Sequence, residues 1–342
     1  MKTGIVKDQR YKEHNMGAFH VESPQRLEVI YRMIEEEISF PYQEIKPRLA
    51  QEEEITMIHS PSYLNYIKNT SGKQRVILDP DTSTSARSYE VALLAVGGLL
   101  KAADLIMAAE IQNGFALIRP PGHHAEASRA MGFCLFNNIA IAAQYLRKKH
   151  KLNRILIVDW DLHHGNGSQH SFYERNDVLY FSTHQYPHYP GTGYWDEIGK
   201  NSGEGYTVNA PLSPGKTDED YLFIFRHLLR PIASVYKPQF ILVSAGFDIH
   251  QNDPLGGMRI SNQGFGALTL ELLHLAHQLC QDRILFTLEG GYDLQGLKEG
   301  VKQVLLCLGG QQKETKIKAS AGPLTKNEIA PVFDIQKKYW PL

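Results

Sequence analysis

The chain has 342 residues, with 36 basic against 37 acidic side chains and a formal net charge of −1. That balance gives no polycationic surface, which argues against direct nucleic-acid binding or docking on an acidic membrane as the main function. Three cysteines, Cys134, Cys280 and Cys307, are too few and too scattered for a disulfide framework, so a reducing, cytoplasmic setting is expected.

The N-terminal stretch MKTGIVKDQRYKEHN lacks an apolar signal region, and the longest apolar run, VALLAVGGLL, is too short to span a bilayer. A soluble protein with no membrane partner is expected. Helical spacing first occurs over about 24–37, where Ser23 and Pro24 read as N-cap and first helical residue, and Ser60 with Pro61 repeats that signature. A helical pattern over about 89–107 precedes the run FALI, one over about 138–149 precedes ILIVD, and one over about 218–236 precedes FILVSA. Helices over about 264–281 and 293–308 flank RILFTL. Short apolar runs bounded by Gly or Pro read as buried strands. Alternating with helices, they imply right-handed crossovers and a mostly parallel sheet covered on both faces, a three-layer α/β/α fold. No linker, repeat or low-complexity tract divides the chain, so 1–342 reads as one domain. From about residue 311 periodicity fades, and a loosely attached tail is expected.

Four of the apolar runs end in residues capable of metal chemistry. FALIRPPGHH closes on His123 and His124, ILIVDWDLHHG on Asp159, Asp161, His163 and His164, FILVSAGFD on Asp248, and RILFTLEGGYD on Glu289 and Tyr292. Ligand sites in open α/β sheets lie off the carboxyl ends of the strands, so four strand ends are expected to share one pocket. In extended backbone, residues at i, i+2 and i+4 point to one side, which would group Asp159, Asp161 and His163. Asp248 would complete a set of one imidazole and two carboxylates, the donors of an open, catalytic zinc site. The adjacent His123 and His124 offer a proton acceptor and donor, each needing a partner for its second ring nitrogen, with Asp159 and Asn166 as candidates. Tyr292 could donate its phenolic hydrogen to an oxyanion.

Taken together, RPPGHH, GFCLFNN, DWDLHHGNG, YPGTG, SAGFD and LEGGYD resemble the zinc-dependent histone deacetylase and acetylpolyamine amidohydrolase superfamily, especially its class II-like and bacterial members. The resemblance implies the arginase-deacetylase fold around an eight-stranded parallel sheet. It implies one zinc per chain on Asp161, His163 and Asp248, with His124 as the base, His123 as its electrostatic or proton-donating neighbour, and Tyr292 as the transition-state hydroxyl. It also implies a structural potassium among Asp159, Asp161, His163, Ser182 and Thr183, the last two largely through backbone oxygens. Phe133, with Gly132 before it, and Tyr189 match the walls of a narrow substrate tunnel. Asp81 and His20 match its rim, and Arg26 a residue near an inner cavity. The implied reaction is metal-assisted hydrolysis of an acylated amine.

Within that resemblance Asn166 stands where many class I enzymes have Asp, which should leave His124 less basic. Tyr189 replaces the commoner Phe, and Tyr292 is kept where some vertebrate class II members carry His. Acylated lysine in a peptide or protein is the expected substrate, with acylated polyamine or a small amide as the alternative. An arginase-like ureohydrolase is more remote, because Gly165 and His250 occupy positions where a second metal would need carboxylates. A non-catalytic acyl-lysine binder is the other remote reading. Cys134, beside Phe133, reads as a small apolar filler.

Overall fold

A computed structural model describes residues 2–342. Among the described residues ten strands follow one another as β1 (Thr3–Val6), β2 (Tyr42–Ile45), β3 (Val76–Asp79), β4 (Thr82–Thr84), β5 (Asn113–Ala116), β6 (Ile155–Asp159), β7 (Val178–Gln185), β8 (Thr207–Leu212), β9 (Phe240–Ala245) and β10 (Ile284–Leu288). β3 and β4 form a small antiparallel hairpin. The other eight make one sheet in the order β2-β1-β5-β10-β9-β6-β7-β8, parallel throughout. Flanking helices complete the three-layer fold. β6, β9 and β10 are buried at every position because their continuous Ile, Leu, Val and Phe runs have helices over both faces.

The four runs with reactive ends, β5, β10, β9 and β6, are consecutive in the sheet. Parallel pairing puts their carboxyl ends on one edge, so the loops bearing His123, Tyr292, Asp248 and Asp161 emerge side by side.

Helix Gln25–Glu37 buries Leu27, Ile30, Tyr31 and Ile34 on one face, the three- and four-residue spacing of an amphipathic helix. Ser60 does cap its helix, its Oγ accepting from Tyr63 N with Pro61 in the first turn. Ser23 does not: Pro24, already in helical conformation, holds the cap position and no side chain caps that end.

The helix expected over 218–236 is divided. Asp218–Ile224 and Arg230–Tyr236 are α-helical, and Phe225–Leu229 between them forms a π-helical segment. Pro231 has no N–H and its ring would collide with the carbonyl four residues back, so the ladder widens there. The stretch beyond residue 311 also departs from expectation. It carries helix Pro323–Gln336, with Ile329 and Val332 buried, packed on β8. Gln336 Nε2 donates to Thr207 O at 3.0 Å and Trp340 Nε1 to Gly205 O at 2.9 Å. A tail secured this way is part of the core; Pro331 inside the helix obscured its period.

Candidate active site

β6 ends at Asp159, so strand alternation does not carry on through Asp161 and His163. Two successive side-chain turns bring them inward instead. Asp159 Oδ1 accepts from Asp161 N at 3.1 Å, and Asp161 Oδ1 accepts from His163 N at 2.9 Å. Asp248 enters from the loop after β9 and its Oδ1 accepts from Leu162 N at 2.9 Å, which ties the two loops together. His163 Nδ1 then lies 3.0 Å from Asp248 Oδ2 and 3.2 Å from Asp161 Oδ1. Asp161, His163 and Asp248 are buried, with one ligand atom from each within 4.8 Å of the others. Asp159 stands apart from this triad: its Oδ2 accepts from Tyr180 Oη at 3.1 Å and pairs with His123 Nδ1 at 3.0 Å.

The donor set fits a divalent ion. Zinc–ligand lengths of about 2.0–2.2 Å at tetrahedral angles separate neighbouring ligand atoms by roughly 3.3 Å, close to the contacts His163 makes. Burial pushes the Asp248 carboxyl up to about 7, with the Asp161 charge adding to it. Burial alone would lower His163, yet hydrogen bonds to Asp161 and Asp248 raise it to about 10. Two desolvated carboxylates beside one imidazole are costly without a counter-charge, which a cation would supply. Gly290 keeps the space clear, since a Cβ there would lie 2.2 Å from Asp248 Oδ2 and 2.7 Å from Asp161 Oδ2. Gly290 N also donates to Asp161 Oδ2 at 2.8 Å.

His123 and His124 sit in the turn after β5 with ring centroids 4.0 Å apart. Glu289 holds that turn, its Oε2 accepting from Gly122 N at 2.7 Å and His123 N at 3.2 Å. Sequence alone suggested metal chemistry for Glu289; its bonds make it a brace, and burial raises its carboxyl to about 7. His123 pairs with Asp159, whereas His124 Nδ1 donates to Asn166 Oδ1 at 2.8 Å. The two imidazoles are driven apart in basicity. Burial opposes charge on His123, but Asp161 and Asp159 overcome it and raise the ring to about 10. Burial, with the charges of His123 and His163, pushes His124 well below its ordinary value.

A cavity of about 350 Å³ opens over this cluster, bordered by His124, His163, Gly132, Phe133, Tyr189, Tyr292 and Asp81. Gly132 and Phe133 both have left-handed backbone, φ +56 and +69. Phe133 is strained there and held by neighbours: Gly132 N donates to Asp81 Oδ1 at 3.2 Å and Phe133 N to Thr82 Oγ1 at 2.9 Å. Asp81 thus both borders the cavity and fastens the turn that carries Phe133. His20 rests edge-on against Phe133, with centroids 4.7 Å apart, and its Nε2 contacts Asp81 O at 3.2 Å. Tyr189 meets the His124 ring edge-on at 5.2 Å.

Arg26 lies behind Tyr292, its guanidinium 5.2 Å from the ring centroid. Buried, it donates to Gly291 O at 2.7 Å, to Glu289 O and to Glu22 Oε1 at 3.0 Å. Ser182 is paired across the sheet with Asp159, and its Oγ bonds His184 Nδ1 at 2.8 Å; Thr183 Oγ1 is buried without a hydrogen-bond partner. Of the positions a second metal would need, Gly165 offers no side chain, and His250 Nδ1 faces Asp293 at 3.9 Å. Sequence reading missed His188 and Leu255, which line the cavity, and Asp253, whose Oδ2 accepts from Tyr292 N at 2.7 Å. The carboxylate three residues after His123, Glu126, was available in HHAE but passed over. Cys134, Cys280 and Cys307 are all buried thiols. Among the described residues, no helix is long and apolar enough to cross a membrane.

Residues 20–308 match the family described as histone deacetylase domain. A probable deacetylase of Archaeoglobus fulgidus is 40% identical over 299 residues, 86% of this chain and 83% of that protein. Histone deacetylase 15 of Arabidopsis thaliana is 38% identical over 94% of this chain, and the polyamine deacetylase HDAC10 of Danio rerio is 39% identical over 94%. The chain spans 59% and 49% of those two longer relatives. The crystal structure of the HDA15 HD domain superposes with a TM-score of 0.94 at 37% identity, covering 100% of this chain and 97% of that one. With the domain matched across all four converging strand ends, and the fold shared throughout, this chain belongs to the histone deacetylase family.

Proposed function

We propose that this protein is a zinc-dependent deacylase that releases an acyl group, acetyl foremost, from the amine of an acylated lysine side chain. The observation that carries this reading is the buried Asp161–His163–Asp248 triad lying beside His124 and Tyr292 at one cavity. Asp161, His163 and Asp248 would hold the ion, which when bound supplies a Lewis acid for the acyl carbonyl and lowers the pKa of water. Asp159, Asp161, His163, Ser182 and Thr183 would hold a structural potassium.

His124, kept neutral by burial, accepts a proton at Nε2 because its Nδ1 is committed to Asn166. His123, paired with Asp159, holds a positive charge beside the reaction and can return a proton to the departing amine. Tyr292 donates its hydroxyl to the oxyanion formed as water adds to the acyl carbon. Phe133 and Tyr189 strip water from the aliphatic linker, Gly132 lets the wall approach His124, and Asp81 and His20 shape the rim. Arg26 steadies the Gly291 turn from which Tyr292 projects. Acylated polyamine is the second reading, favoured by the likeness to a polyamine deacetylase.

The test is acetate release from an acetyl-lysine peptide, compared with acetylputrescine and acetylspermidine. Release should stop on chelation, return with zinc, and fall by about 10²–10³-fold in Tyr292→Phe and in His124→Ala. Undiminished turnover in both variants overturns the mechanism. Faster release from the polyamines than from the peptide selects the second reading.

A further inference from the structure

His124 has no carboxylate in direct contact through Nδ1; its partner is the neutral amide of Asn166, which is 2% exposed. Behind that amide stands a carboxylate. Asn166 Nδ2 donates to Glu126 Oε1 at 2.5 Å, and the same oxygen pairs with His170 Nδ1 at 2.8 Å. Asn166 and His170 are four apart on helix Asn166–Phe172 and so share the face turned to Glu126. Glu126 is itself fixed. Its N donates to Arg129 O at 2.9 Å, and its carbonyl bonds Nδ1 of buried His59 at 2.9 Å.

A side-chain amide can present either its oxygen or its NH2 to a neighbour, with opposite consequences for an imidazole. Facing oxygen, the ring must carry its proton on Nδ1; facing NH2, it must carry the proton on Nε2 and has no lone pair there for catalysis. The groups around Asn166 Nδ2 are Glu126 Oε1, His124 O at 3.3 Å and Met131 Sδ at 3.5 Å, all acceptors. Glu126 supplies the short, charged contact among them, and a charge-assisted bond exceeds the other two in strength.

We propose that Glu126 is a positioning residue: as a carboxylate able only to accept, it sets which end of Asn166 faces His124, and thereby keeps the His124 proton on Nδ1 and Nε2 free. The charge that many relatives of other classes would place beside the imidazole is here one link further out. This role rests on the reading of His124 as the base, but the orientation itself is observable without turnover.

The experiment uses the zinc-loaded full chain labelled with [15N]histidine, with the His124 ring signals assigned by comparison with His124→Ala. In the wild type His124 should be the Nδ1–H tautomer. In Glu126→Leu the Nε2–H form should appear, with kcat down about tenfold and KM nearly unchanged, and in the shape-conserving Glu126→Gln, whose amide can present either end to Asn166, it should appear in part with a smaller loss. Adding Asn166→Asp to Glu126→Leu should restore both the tautomer and kcat, because a carboxylate has no donor end to turn inward. If Glu126→Leu does not fold, Glu126→Gln decides. A His124 ring that stays wholly Nδ1–H in every folded Glu126 variant overturns the proposal, as does failure of Asn166→Asp to restore it. A tautomer that responds to Glu126 in a chain without deacylase activity upholds the positioning and rejects the function.

Discussion

At the scale of single residues, the site depends as much on missing atoms as on present ones. Gly290 lies where any Cβ would press on Asp248 Oδ2 at 2.2 Å, against a carboxylate that cannot retreat because its Oδ1 is bonded to Leu162 N. Gly290→Ala should therefore fold and keep its cavity but bind zinc about 10–100-fold more weakly in chelator competition. Equal affinity in variant and wild type would show that the triad is looser than its hydrogen bonds imply. The triad itself was legible in DWDLHHG and SAGFD because carboxylates at the ends of apolar runs are costly without a partner. The route by which they converge was not. Alternation in an extended strand would place Asp159, Asp161 and His163 on one face, whereas β6 ends at Asp159 and side-chain turns at Asp159 and Asp161 place the other two. Glu289 had no readable role, since a carboxylate that braces backbone N–H groups looks identical in sequence to one that binds metal.

At the scale of elements, the long continuous strands were readable and the compromised helices were not. ILIV, FILV and ILF are too apolar and too β-branched for anything but strands covered on both faces. A hydrophobic period carries no sign of the π segment before Pro231, and Pro331 disguised the C-terminal helix. That helix and the residues after it close the exposed side of β8, the last strand of the sheet. Trp340 anchors the closure: it is 6% exposed, stacks edge-on against Tyr206 at 5.3 Å and Tyr236 at 6.3 Å, and bonds Gly205 O. Trp340→Ala should cost about 3 kcal/mol of stability, read as a lower urea midpoint, while activity per folded molecule stays near wild type. A loss of kcat without a loss of stability would mean that the helix serves the site and not the sheet edge.

At the scale of the whole molecule, stability should be sensitive to acid through a buried charge cluster behind Tyr292. Glu22 is buried among Arg119, Arg26 and His14. Burial alone would raise its carboxyl, but the Arg119 guanidinium and then Arg26 outweigh that and hold it at about 2. His14, which bonds Ser88 Oγ at 2.7 Å, is pushed down to about 3, first by burial and then by Arg119. Both shifts act in one direction. The unfolded chain takes up a proton on His14 as pH falls through about 6.5 and on Glu22 as it falls through about 4.5, while the folded chain takes up neither until far lower. His14 thus withdraws stability between pH 6.5 and about 3, and Glu22 between about 4.5 and about 2. Melting temperature followed from pH 8 to pH 4 should fall in two stages, shallow below 6.5 and steep below 4.5. In His14→Asn, which has nothing to protonate at that position, the difference from wild type should narrow steadily across pH 6.5 to 4.5. A gap between the two proteins that stays constant over that interval would remove His14 from the acid response and leave the carboxylates alone to account for it.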